Sequence, residues 1–451
     1  MKKIRTNLIA KKLVAVALTL LIGTLSAPTW ALITIEITKG QDTGIPIAVV
    51  PFHFQGQQRP NEEISKIVTA NLYRSGRFKL SPSDQFLSHP SETKQVRYKD
   101  WRLIKVEALA FGRVNQIGDD LFEVTFHLHD VYKGRPVWKG SDNKEIFYRW
   151  TVTGDKLRKV AHQISDYIYK ALTGTPGAFD TQIAYITVRQ GSVTPQFELI
   201  VADSDGHNDQ IVLQTASPIL SPAWAPDGKR LAYVGFGDDN TGATIWLQNL
   251  ETVKRQKLLE EKVSVSSPAW SPDGRRLAVT LYRDGNPDIY IIDISSRRLR
   301  RLTKHRGIDT EASWSPDGRH LVFTSNRSGR PQIYRISTAG GPVERLTKEG
   351  RENLKASYSP NGKQLVMVTN RGNGYQIGVF YMGNRKLEIL TNGTLDESPT
   401  FSPNGAMIMY ATRKGGKGVL VAVSTDGRRT KKIFRAQQGE VREPAWSSWK
   451  Q

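Results

Sequence analysis

Few residues of this chain have the type and spacing to do chemistry. There is no cysteine, so disulfides, thiolate nucleophiles and zinc–thiolate centres are excluded. Of the eight histidines, His127 and His129 stand two apart, which puts both imidazoles on one side of a strand. Two such ligands without a third do not define a metal centre. The run Asp203-x-Asp205-Gly206-x-Asn208-Asp209 resembles a calcium loop but lacks the distal bidentate glutamate in register. It reads as a hairpin turn between two strands. There is no Gly-x-Ser-x-Gly nucleophile elbow, and no Walker or dinucleotide motif. Neither catalysis nor a cofactor nor a bound metal is expected. What remains is a set of acids, Glu311, Glu397 and Glu443, which hold equivalent positions shortly before an aromatic residue. Brought together, like charges need a cation, a basic partner or water.

Those aromatics belong to a stretch written five times, Ser-Pro-x-aromatic-x-Pro-Asp/Asn-Gly, with a truncated sixth copy at Glu443–Ser447. The aromatic positions are Trp224, Trp270, Trp314, Tyr358, Phe401 and Trp446, spaced by 46, 44, 44, 43 and 45 residues. A period of this size predicts a β-propeller with one four-stranded blade per repeat. Three further strands follow each aromatic one. The first set, from Ile183-Ala184-Tyr185-Ile186, lacks its leading strand, and the orphan Pro444-Ala445-Trp446 supplies it. Six blades closed by the C-terminal strand are therefore expected. The aromatic strand should be innermost, its ring packed between blades. Pro-Asp-Gly then turns the chain: proline presets φ, the acid bonds locally and glycine takes positive φ. The repeat is scaffold. Function is expected in the loops that enter the innermost strands, at the mouth of the channel.

The N-terminus reads as an export signal. Lys2, Lys3, Arg5, Lys11 and Lys12 precede the ten-residue apolar run Leu13–Ile22, which is short for a membrane span. Cleavage is expected after Ala31. No other long apolar segment follows, so the mature chain should have no membrane span. Losing those five basic residues lowers the formal charge from +21 to +16. The excess favours acidic partners, but the basic residues are dispersed and no nucleic-acid motif appears. Residues 32–44 form a β-prone segment, with Ile33, Ile35 and Ile37 alternating, and a glycine-rich hinge. Such a segment adds to a sheet edge of its own protein or of another. Residues 45–175 read as an α/β domain: a buried strand at Ile45–Phe52, helices over Glu62–Ser75, Tyr98–Ile104 and Asp155–Leu172, and a hairpin at 108–132. Residues 176–451 form the propeller. The fold class is an α/β N-terminal domain followed by an all-β six-bladed propeller.

The signal, the opening Ile-Pro-Ile-Ala-Val-Val-Pro-Phe, the junction Phe179-Asp180-Thr181-Gln182-Ile183-Ala184-Tyr185-Ile186 and the Ser-Pro-Asp-Gly repeats, in this order, resemble the TolB family of the Tol-Pal system. The likeness spans nearly the whole mature chain. It implies a monomeric, non-enzymatic periplasmic adaptor. Such proteins bind the lipoprotein Pal on the channel face and TolA through the N-terminal segment. They support outer-membrane integrity and constriction at division; outer-membrane proteins are further candidate partners. Carried over by alignment to the aromatic strand, the Pal contacts are Ser264, Ser266, Thr310, Glu311, Asp396, Glu397 and Glu443. Ser264 is a departure, since well-known members have histidine there. The TolA segment is Leu32, Ile33, Thr34, Ile35, Glu36 and Ile37. The competing reading is an exported propeller that binds a glycan or small ligand in its channel.

Overall fold

The computed structural model describes residues 34–37, 44–139, 145–189, 194–236, 242–261, 264–425, 430–434 and 439–449. The expected signal, Leu32, Ile33 and the start of the hinge lie outside these residues. Among the described residues no helix is long and apolar enough to cross a membrane.

The N-terminal domain is a mixed sheet. Ile45–Val49 lies between Phe78–Leu80 and Ala108–Gly118, parallel to both. Ala108–Gly118 pairs antiparallel with Leu121–Asp130, which also pairs with Tyr148–Thr153. The apolar run at 45–50 is continuous because both faces of its strand are buried. Ile47 and Val49 meet the helices Ile64–Ser75 and Leu157–Thr173. Ala48 and Val50 meet Trp101 and Phe86 on the other face. Gly76 and Gly174 end the two long helices in the left-handed conformation expected of them.

Six further sheets form the propeller. Blade 1 takes its innermost strand, Glu440–Trp446, from the C-terminus and pairs it with Gln182–Arg189. Blades 2 to 6 begin at Ile219–Trp224, Val265–Trp270, Asp309–Trp314, Glu352–Tyr358 and Glu397–Phe401. The repeated tryptophan stitches neighbours together. The indole N–H of Trp224 donates to the Ala445 carbonyl at 3.1 Å, Trp270 to Ala223 at 3.1 Å and Trp314 to Ala269 at 3.0 Å. Each ring also packs against the preceding blade. Tyr358 and Phe401 have no indole N–H. Trp314→Phe should therefore cost about 1 kcal/mol, the net worth of one half-buried hydrogen bond. A melting temperature lowered by about 2–4 °C checks this, and an unchanged value contradicts it.

The two domains meet at the end of the blades where the inner strands finish. The antiparallel register puts Trp446 beside Ile183 and Gln182 beside Asp203, so all of these lie at that end. Here the 203–206 turn is a hairpin turn, as its sequence suggests, but Asp205 is buried. The guanidinium of Arg158 contacts Asp205, and Arg74 reaches it at 3.2 Å. Gly177 passes so close to Asp166 that a Cβ would lie 2.1 Å from the carboxylate. The backbone N–H groups of Phe179 and Asp180 donate to Asp166 at 2.8 and 3.0 Å. Burial nevertheless pushes the Asp166 carboxyl up to about 7. An acid raised above its unfolded value costs stability at high pH, and the cost is relieved as pH falls through the folded value. The melting temperature should thus rise as pH falls from about 7 toward about 4, a slope that Asp166→Asn removes. An identical pH slope in the variant would contradict the assignment.

The N-terminal segment adds to the propeller. Thr34–Ile37 pairs antiparallel with Thr430–Phe434 as a fifth, outermost strand of blade 6, with Thr34 opposite Ile433 and Ile37 opposite Thr430.

Candidate partner-binding site

Every innermost strand carries a β-bulge at one equivalent place. The pairing slips between Leu220 and Ala223, Ser266 and Ala269, Thr310 and Ser313, Leu354 and Ser357, Glu397 and Thr400, and Arg442 and Ala445. In each bulge one residue is left-handed: Ser221, Ser267, Glu311, Lys355, Ser398 and Glu443, with φ between 48° and 55°. None is glycine, though a side chain there is strained by on the order of 1 kcal/mol or more. The bulge turns these six positions to the axis, where they line a cavity of about 290 Å³.

The ring is polar and largely self-satisfied. Glu443 accepts from the backbone N–H of Ser221 at 2.5 Å, across the boundary from blade 1 to blade 2. Glu311 accepts from the backbone N–H of Lys355 at 2.9 Å and from the Thr324 hydroxyl at 2.8 Å, joining blades 4 and 5. Lys355 Nζ donates to Ser398 Oγ at 2.8 Å, joining blades 5 and 6. Lys355 also brings a positive charge into the ring beside the two acids. These channel acids are inter-blade clamps as well as lining groups.

Two expectations need correcting. Glu397 is not equivalent to Glu311 and Glu443, because Ser398 occupies the bulge in blade 6. Glu397 lies one residue earlier, exposed on the rim, at the place of Ser266 and Thr310. Asp396 is buried and offers no free contact: Thr391 and Thr412 hydroxyls donate to it, the latter at 2.6 Å. Its counterparts are the equally buried Asp309, held by Arg327 at 2.7 Å, and Asn353. In the other three blades this position is Ile219, Val265 or Val441. The position is a buried peg that takes either an apolar residue or a polar one with local partners.

The face that does present free groups is the rim. Ser264 is exposed, Ser266 and Thr310 are half-buried and Glu397 points to solvent. Around them stand exposed apolar side chains that the sequence reading passed over: Leu220, Tyr282, Ile308 and Leu395. The signal was present in the chain. Ile308 and Leu395 are lone aliphatics in otherwise polar turns just ahead of an innermost strand. The α/β domain packs on the opposite end of the blades, so among the described residues it does not cover this rim. Leu32 and Ile33 lie outside the described residues, while the backbone of Thr34 to Ile37 is on blade 6.

The fold and the largely self-satisfied polar ring define a two-domain propeller scaffold with no catalytic constellation among the described residues. Comparison with known proteins places it more closely. A model of the TolB amino-terminal domain matches residues 33–137, and one of the TolB β-propeller domain matches residues 169–450. The chain is 46% identical over 433 residues to the Tol-Pal system protein TolB of Nitrosococcus oceani, covering 95% of this chain and 97% of that one. It is 47% identical over 439 residues to TolB of a Marinomonas species, covering 97% and 99%. The crystal structure of TolB from Acinetobacter baumannii superposes with a TM-score of 0.83 at 38% identity, over 92% of this chain and all of the other. The chain belongs to the TolB family, the non-enzymatic propeller component of the Tol-Pal system.

Proposed function

We propose that this protein is a periplasmic adaptor that binds Pal on the open rim of the propeller and TolA through its N-terminal segment, supporting outer-membrane integrity and constriction at division. The observation that carries the reading is the rim itself. It combines exposed aliphatic anchors with a polar surround, the composition of an interface whose core excludes water. It also lies opposite the domain junction, so a partner can dock without disturbing the Asp205 contacts. For TolA the support is the placement of Thr34–Ile37. As the outermost strand it keeps one edge unpaired among the described residues, the feature that strand addition requires.

Leu395→Asp and Glu397→Lys should each weaken Pal binding about tenfold or more, measured by calorimetry with purified Pal, because they place charge on or reverse charge at the rim. Glu397 is the cleaner acidic probe. Glu311→Lys would also break the clamp on Lys355 and face it with a like charge. Unchanged Pal affinity in both rim variants would refute the site. Deleting residues 32–40 should abolish TolA binding and leave Pal binding intact. Retained TolA binding would reduce the segment to an ordinary edge strand.

A further inference from the structure

The histidine pair that lacked a partner in the sequence has one in the fold. His127 and His129 share one face of the strand Leu121–Asp130. Glu145 arrives from the segment that bridges back to Lys139 and sets its carboxylate between them. His127 Nδ1 lies 2.7 Å and His129 Nε2 3.0 Å from the same oxygen, Glu145 Oε1. One potential ligand atom from each of the three residues falls within 4.8 Å of the others. We propose that His127, His129 and Glu145 form a binding site for a divalent transition-metal cation of the zinc type on the N-terminal domain.

The donor set is the first argument. Two neutral imidazoles and one carboxylate suit zinc and its neighbours, whereas magnesium and calcium prefer all-oxygen sites. The spacing is the second. Zinc bonds of about 2.0–2.2 Å place neighbouring ligands about 3.3–3.6 Å apart, so the two contacts to Glu145, at 2.7 and 3.0 Å, would open by roughly 0.3–0.9 Å to admit an ion. The surroundings are the third. His127 is stacked between Phe111, at 5.0 Å, and Phe147, at 5.1 Å. His129 is fully buried against Phe111, and Tyr98 stacks on it. The rings are thus held in place before any ion enters. Tyr98 OH is 2.8 Å from His129 Nδ1, and the Thr93 hydroxyl donates to Glu145 Oε2. These are the outer contacts that fix the tautomer and carboxylate of a metal ligand. Glu145 Oε1 can only accept, so His129 Nε2 carries the proton in this contact, and an ion bound there would displace it. With metal, Nδ1–H donates to the phenol oxygen, and Nε2 turns its lone pair to the ion. His127 and Glu145 are partly exposed, so water reaches a fourth position. The nearby Glu92 is engaged by Arg113 at 2.6 Å and Lys94 at 2.8 Å, and supplies no general base. The site reads as an anchor for the Glu145 segment.

The second His–acid group, His162 with Asp203 and Asp205, shows the contrast. There the Arg158 guanidinium already stands between the carboxylates, contacting Asp205 and lying 3.6 Å from Asp203. A built-in cation occupies that centre. At Glu145 no Lys or Arg contact is seen among the described residues.

The test titrates Zn²⁺ into the chelator-treated mature protein by calorimetry, with Mg²⁺ as control. Saturable binding of one Zn²⁺ per chain is expected, with no Mg²⁺ binding. His127→Ala and Glu145→Gln, each verified as folded by circular dichroism, should bind Zn²⁺ at least about tenfold more weakly. X-ray absorption of the zinc complex should show two imidazole nitrogens. His129 is avoided because its removal opens a cavity in the core. Absence of saturable Zn²⁺ binding by the wild type overturns the proposal, and so does equal affinity in the two variants.

Discussion

Replacing Asp205 by alanine is expected to destabilise the protein by about 3 kcal/mol, the scale for stranding a buried charge. The aspartate accepts the Arg158 and Arg74 side chains of the α/β domain while itself sitting in a propeller hairpin. Arg158 is 6% exposed and would keep only Asp203 at 3.6 Å and Glu62 at 3.3 Å. The loss falls on the junction, so the calorimetric trace should change in form as well as position. One transition should separate into two, with the lower about 6–12 °C below the wild-type midpoint. Asp205→Asn keeps the turn and one acceptor and should lose less. A single unshifted transition in the alanine variant would mean that the two domains are held by other contacts.

The second large effect concerns ring closure. A chain ending at Gly439 is expected to lose the folded propeller altogether, read as loss of cooperative melting and of the β-sheet dichroism signal. Removing Glu440–Trp446 strips the inner edge from Gln182–Arg189 and takes away the Ala445 acceptor of Trp224. It also removes the Glu443 clamp on Ser221 and the Trp446 indole bond to Thr181 at 2.9 Å. The exposed strand edge would then invite aggregation. Deleting the five residues 430–434 should be far milder, because that strand supports only one neighbour within the propeller. If the 439-residue chain melted like the full one, closure by the C-terminal strand would not be what holds the ring.

Much of this architecture is legible from local patterns. The 43-to-46-residue spacing, the orphan Trp446 and the glycine-capped helices each follow from rules that act over a few residues. The site is less legible, because it depends on register. Glu397 and Ser398 are adjacent in sequence, and only the bulge decides which of them turns to the channel. Asp396 looks like a surface acid in a polar turn, yet Thr391 of the same turn and Thr412 of the next strand draw it inside. Glu145 lies 16 residues beyond His129, with an intervening turn, and no spacing rule joins them. Asp205 reads as an ordinary turn residue because its arginines lie in another domain. Long-range pairing of charged groups leaves no periodic trace in a chain.

On the proposed function the rim, and not the domain junction or the deep channel, receives Pal. Hydrogen–deuterium exchange of the mature protein with and without Pal tests it most directly. New protection of backbone amides in residues 304–310 and 391–397 is expected, with no change in residues 203–209 at the junction. Protection confined to 203–209 or to the α/β domain, with the rim exchanging as before, would contradict it.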